Sequence, residues 1–200
     1  MQVANTARGK GDAMKRILAL LLVVAMGVAL LGVVGCGGQT DQAKEYLKTA
    51  DAAYANVQKD STKLEGILTP MLAGAMGGNY AAVTVQGLQE ADAVIKSILE
   101  ALPVVSEDYQ KLDDLSGVED YQAYSDAMVK TIESDTEASK GTKALIDSLL
   151  PIAQAGNTAQ IGQWIQANSS TITELQELQT ATEENYSAAQ QVKNDKNLSY

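Results

Sequence analysis

The sequence predicts an all-α fold, an up-down-up-down bundle of four long helices. Three observations predict it. Apolar residues recur at spacings of three and four through most of residues 41–195, the period of one helix face. Ala, Gln, Leu, Glu, Lys and Thr dominate that region, and no stretch alternates with period two for long enough to make a strand. Glycine-bearing corners then divide it into four pieces of nearly equal length.

The first segment, 41–76, carries its stripe on Ala43, Leu47, Ala50, Tyr54, Val57, Leu64, Leu68 and Met71. Gly77-Gly78-Asn79 closes it, and Gly74 is expected to fray its end. The second, 79–115, has Asn79 available as N-cap and runs through Val85, Leu88, Ile95, Leu99, Leu102 and Tyr109. Pro103 lacks an amide hydrogen and crowds the preceding turn, so it is expected to kink or interrupt this helix, with Ser106 placed to restart it. Ser116-Gly117-Val118-Glu119 has the form of a capping box and opens the third, 118–155, on Tyr121, Met128, Ile132, Ile146 and Leu149.

The fourth segment, 158–195, starts at an Asn157 cap with Gln160 at the box position and continues through Ile161, Ile165, Ile172, Leu175, Tyr186 and Ala189. Asn168-Ser169-Ser170 is a weak point, and the second capping box Thr171…Glu174 is placed to split this helix in two. Each segment would be about 55 Å long as one continuous helix. Short connections between long helices make neighbours antiparallel, as in coiled-coil-like bundles. Residues 196–200 read as a C-terminal tail. A faint repeat, Thr62-Lys63…Pro70…Gly78-Asn79 against Thr142-Lys143…Pro151…Gly156-Asn157, suggests two related helical hairpins. Convergent turn chemistry explains it equally well.

The N-terminus is a different kind of segment. Arg8, Lys10, Lys15 and Arg16 precede an apolar run from Ile17 to Val34, interrupted only by Gly27 and Gly32. A basic region followed by an apolar run is the order of an export signal, with the basic end in the cytoplasm. Met14 offers an alternative start, since Met14-Lys15-Arg16 is already a complete basic region. The run ends in Val33-Val34-Gly35-Cys36, and Gly37-Gly38-Gln39-Thr40 follows. This tetrapeptide resembles the lipobox of bacterial lipoprotein signal peptides: an aliphatic residue, a tolerant position, a small residue, then Cys. The resemblance covers residues 14–38 alone.

It implies cleavage before Cys36, a diacylglycerol thioether on the Cys36 sulfur and an acylated new N-terminus. Residues 1–35 are then a signal peptide, 36–40 a lipidated Cys with a short linker, and 41–195 the helical domain. The protein would be held by lipid at the bacterial cell membrane or outer membrane, facing away from the cytoplasm; two or more acyl chains anchor stably where one does not. The run, at about 18 residues, is also just long enough to span a bilayer, and an uncleaved anchor would leave the same orientation.

Composition removes most chemistries. The chain has 25 acidic and 15 basic residues, no His, no Phe and one Cys. Residues 36–200 hold 11 Lys, no Arg and 24 acids, a net charge of −13. Such acidity argues against a nucleic-acid partner, because phosphate binding needs a basic face. Without His, a Ser-His-Asp triad, a histidine zinc site and a carboxylate-histidine di-iron bundle are excluded. No phosphate-binding glycine fingerprint and no nucleophile elbow occurs. An enzyme is therefore not expected, nor a cofactor.

Three features remain as candidate sites. The corner Asp113-Asp114-Leu115-Ser116-Gly117-Val118-Glu119-Asp120 gathers four carboxylates. Oxygen-seeking cations take such ligands, but Glu119 and Asp120 are also what the first turn of a helix favours. Asp135, Ser139 and Thr142 on the third segment, with Asn168, Gln179 and Thr182 on the fourth, fall near the seam and would line a wet cavity for a small polar ligand. A drifting seam that turns Ala138 and Leu145 inward is the simpler reading. Finally, up-down order places Tyr46, Tyr109, Tyr121, Tyr124 and Tyr186 at one end, near Cys36. At least three of them are expected to meet across helices, either as core or as an aromatic-lined ligand site, since Tyr joins an apolar body to a polar tip.

Two functions follow. One is a structural or protein-interaction module of the cell envelope, with a protein partner on its helical faces. The other is a small-ligand-binding or sensor-like bundle. An exposed apolar stripe would favour the first, and a large solvent-lined cavity the second.

Overall fold

The structure, a computed structural model, describes residues 38–200. The basic segment, the apolar run and Cys36 lie outside the described residues. The described residues are all-helical, with no strand. Five α-helices follow one another: α1 (Gly38–Met76), α2 (Val85–Gln110), α3 (Glu119–Gln154), α4 (Thr158–Ala167) and α5 (Ser169–Asp195). Single 3₁₀ turns, Tyr80–Ala82 and Lys111–Asp114, occupy the first two corners. None of these helices is long and apolar enough to cross a membrane.

The helix boundaries correct several expectations. Gly38, Gln39 and Thr40, expected as linker, are already helical. The Gln39 Oε1 accepts a hydrogen bond from the Ser116 amide at 2.8 Å, which ties the start of α1 to the α2–α3 corner. Gly74 does not fray α1. A Cβ there would lie 2.5 Å from the Ala82 Cβ, so the glycine lets the 3₁₀ turn fold back onto the helix. Asn79 is spent on closing that corner, its amide donating to Gly74 O at 2.8 Å, and it makes no side-chain cap. Thr84 caps α2 instead, accepting from the Gly87 amide at 3.1 Å.

α2 continues through Pro103 without the expected restart at Ser106. Buried Ile98 and Leu102 before the proline, and Val105 and Tyr109 after it, hold both sides in the core, which outweighs one lost backbone bond. The box at Ser116 does not form either, because Gly117 at φ +72° reverses the chain and Val118 becomes the cap. α3 therefore starts without a side-chain cap; Gln122 instead ties down carbonyls of the preceding corner, its Nε2 donating to Leu112 O at 2.9 Å and Leu115 O at 3.0 Å. Asn157 caps α4 as expected, accepting from the Gln160 amide at 3.2 Å. The fourth segment does break at Asn168, whose Nδ2 donates to Trp164 O at 2.8 Å. α5 then starts at Ser169, two residues before the Thr171 box.

Consecutive long helices pack antiparallel. Asp51 meets Tyr109, and Lys63 meets Glu90, between α1 and α2. Ser125 meets Tyr109, and Lys143 meets Asp92, between α3 and α2. Asp120 meets Lys196, Ser134 meets Asn185, and Gly141 lies under Leu175, between α3 and the α5 region. The core falls into two clusters. One gathers Leu47, Ile98, Leu102, Tyr109, Tyr124 and Met128; the other gathers Met71, Leu88, Leu149, Ile161, Trp164 and Ile172. Leu198 joins the first cluster, so the expected tail is part of the packed unit. One pair does not close: no Cα of α1 comes within 8 Å of any Cα of α5. Accordingly α5 buries only Ile172 and Ala189 among its residues.

Candidate functional site: an acidic cleft between the first and last helices

The α1–α5 gap has two halves with different chemistry. At the half near the α2–α3 corner, side chains bridge it. The Asp51 Oδ1 accepts from the Tyr109 hydroxyl at 2.5 Å and from the Tyr124 hydroxyl at 2.9 Å. Its Oδ2 accepts from Lys193 Nζ at 2.8 Å and from the Tyr200 hydroxyl. Gln190 adds a bond to the Tyr124 hydroxyl at 3.2 Å, and Lys193 Nζ lies 4.3 Å from the centre of the Tyr200 ring. Tyr109 and Tyr124 are completely buried and meet edge to face at 6.2 Å. Burial pushes the Tyr109, Tyr124 and Tyr200 hydroxyls above their ordinary pKa, and the carboxylate pushes them further, so all three remain donors.

Further along, the gap opens into a cleft of about 630 Å³. Apolar side chains from all five helices line it, among them Leu68 of α1, Ile95 of α2, Ile146 of α3, Trp164 of α4 and Leu175 of α5. Gln58, Ser61, Thr62 and Glu65 of α1 face Gln176, Gln179, Thr182 and Glu183 of α5 along its sides. Tyr54 and Tyr186 close the end toward Asp51, their rings 5.7 Å apart and tilted by 39°. Trp164 is fixed at the other end by Nε1 donating to the Ser148 Oγ at 3.0 Å.

Asp135 is the cleft's half-buried carboxyl. It accepts from the Tyr54 hydroxyl and from the Ser139 Oγ, each at a long 3.5 Å. Among the described residues it has no lysine partner, whereas Asp51 has Lys193 and Asp92 has Lys96 and Lys143. Desolvation by burial raises the Asp135 pKa, and its two weak hydrogen bonds only partly oppose this. Among the described residues, the charged ones lining the cleft are Glu65, Asp135 and Glu183, all acidic.

The expected cavity residues largely meet here. Asp135, Ser139, Thr142, Gln179 and Thr182 line the cleft, and so do Ala138 and Leu145. The seam is wide enough to admit both sets because α1 does not close on α5. Asn168 is not part of it, being held at the α4–α5 break. The five expected tyrosines all pack on one core cluster, as the chain order requires, but they do not form one site. Only Tyr109 and Tyr124 pair with each other, Tyr186 pairs with Tyr54, and Tyr46 and Tyr121 enter no ring pair. Of the five, Tyr186 alone lines the cleft. At the acidic corner, Asp120 is paired with Lys196 at 2.7 Å, and no group of three potential metal ligands occurs among the described residues.

Asp51, Lys193 and Tyr200 were not expected to act together. Asp51 lies beside the Ala50–Tyr54 stripe rather than on it, and Tyr200 falls in the expected tail. No known protein family, characterised protein or solved structure matches the chain.

Proposed function

We propose that this protein is a lipid-anchored helical domain that stands outside the cytoplasm and takes a small molecule into the cleft between α1 and α5. The N-terminal order of basic residues, apolar run and Gly35-Cys36 supports the anchor at Cys36. The helical unit then reads as an up-down-up-down four-helix bundle whose fourth rod is broken at Asn168. The antiparallel pairings of α1 with α2, α2 with α3 and α3 with α5 support that reading.

A single observation carries the ligand-binding reading: the first and last helices stay apart over a cleft of about 630 Å³ that combines apolar walls with convergent polar groups. That size and lining suit a small organic molecule. The alternative, an interaction module docking a protein partner on an apolar stripe, has less support. The exposed large hydrophobics among the described residues are Met76 at the end of α1, Val104 on α2 and Tyr200 beyond α5, and they share no helix. The test is binding of the neutral dye N-phenyl-1-naphthylamine to the chain lacking residues 1–37. One dye per chain should bind with blue-shifted emission. Ala138→Trp, which fills the cleft, should abolish binding while leaving helicity intact. Undiminished binding by that variant would remove the cleft as the site.

A further inference from the structure

We propose that the cleft's ligand is an organic ammonium with an apolar body, its cationic head seated against Asp135 between Tyr54 and Tyr186. This rests on the ligand-binding reading above and specifies its chemistry. Three independent features converge on it. First, among the described residues the charged side chains lining the cleft are Glu65 from α1, Asp135 from α3 and Glu183 from α5; α2 and α4 bring none, and no lysine of these helices lines it. An anion would meet only repulsion there, and a neutral molecule would leave the half-buried Asp135 carboxylate uncompensated, Glu65 and Glu183 being exposed.

Second, Asp135 is a half-buried carboxyl with two long hydrogen bonds and no cationic partner among the described residues. A buried ionised carboxylate is costly unless paired, so an entering cation supplies what the fold omits. Third, the tilted Tyr54–Tyr186 ring pair borders this carboxyl, and the Tyr54 hydroxyl donates to it. Aromatic faces beside a carboxylate are a recurrent setting for ammonium groups, which the ring quadrupole attracts. The remaining length of the cleft, toward Trp164, is lined by Leu68, Leu145, Ile146 and Leu149 and would take an alkyl or aryl body.

Trp164 is the chain's sole tryptophan and lines the cleft, so its emission reports occupancy directly. The whole chain in phosphatidylcholine vesicles is titrated with three probes of similar frame: phenethylammonium, 2-phenylethanol and 3-phenylpropionate. Phenethylammonium should bind at least tenfold more tightly than the alcohol, and the carboxylate weakest. Asp135→Asn should remove that preference while retaining alcohol binding. Asp126→Asn, an exposed acid on the same helix, should leave the preference unchanged and so controls for net charge. Equal affinity for alcohol and ammonium, a preference that survives Asp135→Asn, or tightest binding of the carboxylate would each overturn the ammonium assignment and leave the cleft as a ligand site. No response of Trp164 to any probe would overturn both.

Discussion

Replacing Asp51 by Ala should be among the most damaging single changes at a polar position. The carboxylate receives the hydroxyls of Tyr109 and Tyr124, both completely buried, together with Lys193 and Tyr200. A buried donor left without its acceptor costs about 1–3 kcal/mol, and two are orphaned here. The Lys193 pair is about one-quarter exposed on each side and adds at most about 1 kcal/mol. Asp51→Ala is therefore expected to cost about 3–5 kcal/mol, lowering Tm by roughly 6–20 °C for a unit of this size. Asp51→Asn keeps an acceptor oxygen and should cost only about 1–2 kcal/mol.

A double-mutant cycle separates this network from general packing. Tyr109→Phe alone should cost about 1 kcal/mol, and much less in the Asp51→Ala background, where the acceptor is already gone. Urea unfolding followed by far-UV circular dichroism measures all four proteins. If Asp51→Ala lies within about 1 kcal/mol of wild type, or if the two changes add fully, the buried network does not hold α1 to the rest of the core as argued.

Three further outcomes are expected. Burial raises the Asp135 pKa in the folded state, so its favourable share is complete below the unfolded value of about 3.9 and is lost as pH rises through the folded one. Asp135→Asn should therefore be more stable than wild type at neutral pH, with the gain shrinking toward pH 4; thermal melts across that range showing a loss instead would contradict the assignment. The Tyr54, Tyr109, Tyr124 and Tyr200 hydroxyls are held above the ordinary tyrosine value of about 10, so stability is full below it and falls as pH climbs beyond it. Absorbance at 295 nm should show these four ionising together with loss of helicity, and all eight titrating near pH 10 in an intact fold would be the opposite result. Gly162→Ala would bring a Cβ to 2.8 Å from the Tyr80 ring and should cost about 1–3 kcal/mol in a urea melt; no change would mean the ring moves freely.

How far the sequence reaches can be judged from particular residues. The heptad line Ala43, Leu47, Ala50, Tyr54 and Val57 is buried as read, because a 3.6-residue period leaves one face for the core. The break at Asn168 was legible because Asn and Ser compete with helical backbone bonding. Capping was less so. Ser116 and Asn79 have the right local chemistry, but the corner backbone, set by Gly117 and by the return of Asn79 to Gly74, leaves α3 with no side-chain cap, passes the capping of α2 to Thr84 and has Gln122 hold the Leu112 and Leu115 carbonyls. Such long-range satisfaction has no local signature. Similarly, periodicity placed Asp135 and Gln179 near a common seam but contained nothing on whether α1 would close over it. The cleft is set by which helices pack: α5 lies against α3, with Leu175 over Gly141, and not against α1.

Where a small molecule sits on the protein is the most direct test of the cleft. Methyl and indole NMR spectra of the protein with saturating phenethylammonium would map it. Binding in the cleft predicts shifts concentrated on Leu68, Leu145 and Leu175 and on the Trp164 indole, all of which line it, with Leu47 and Leu102 in the opposite half of the core unchanged. Shifts centred on the Asp51 end, or scattered over exposed residues such as Val104, would contradict it.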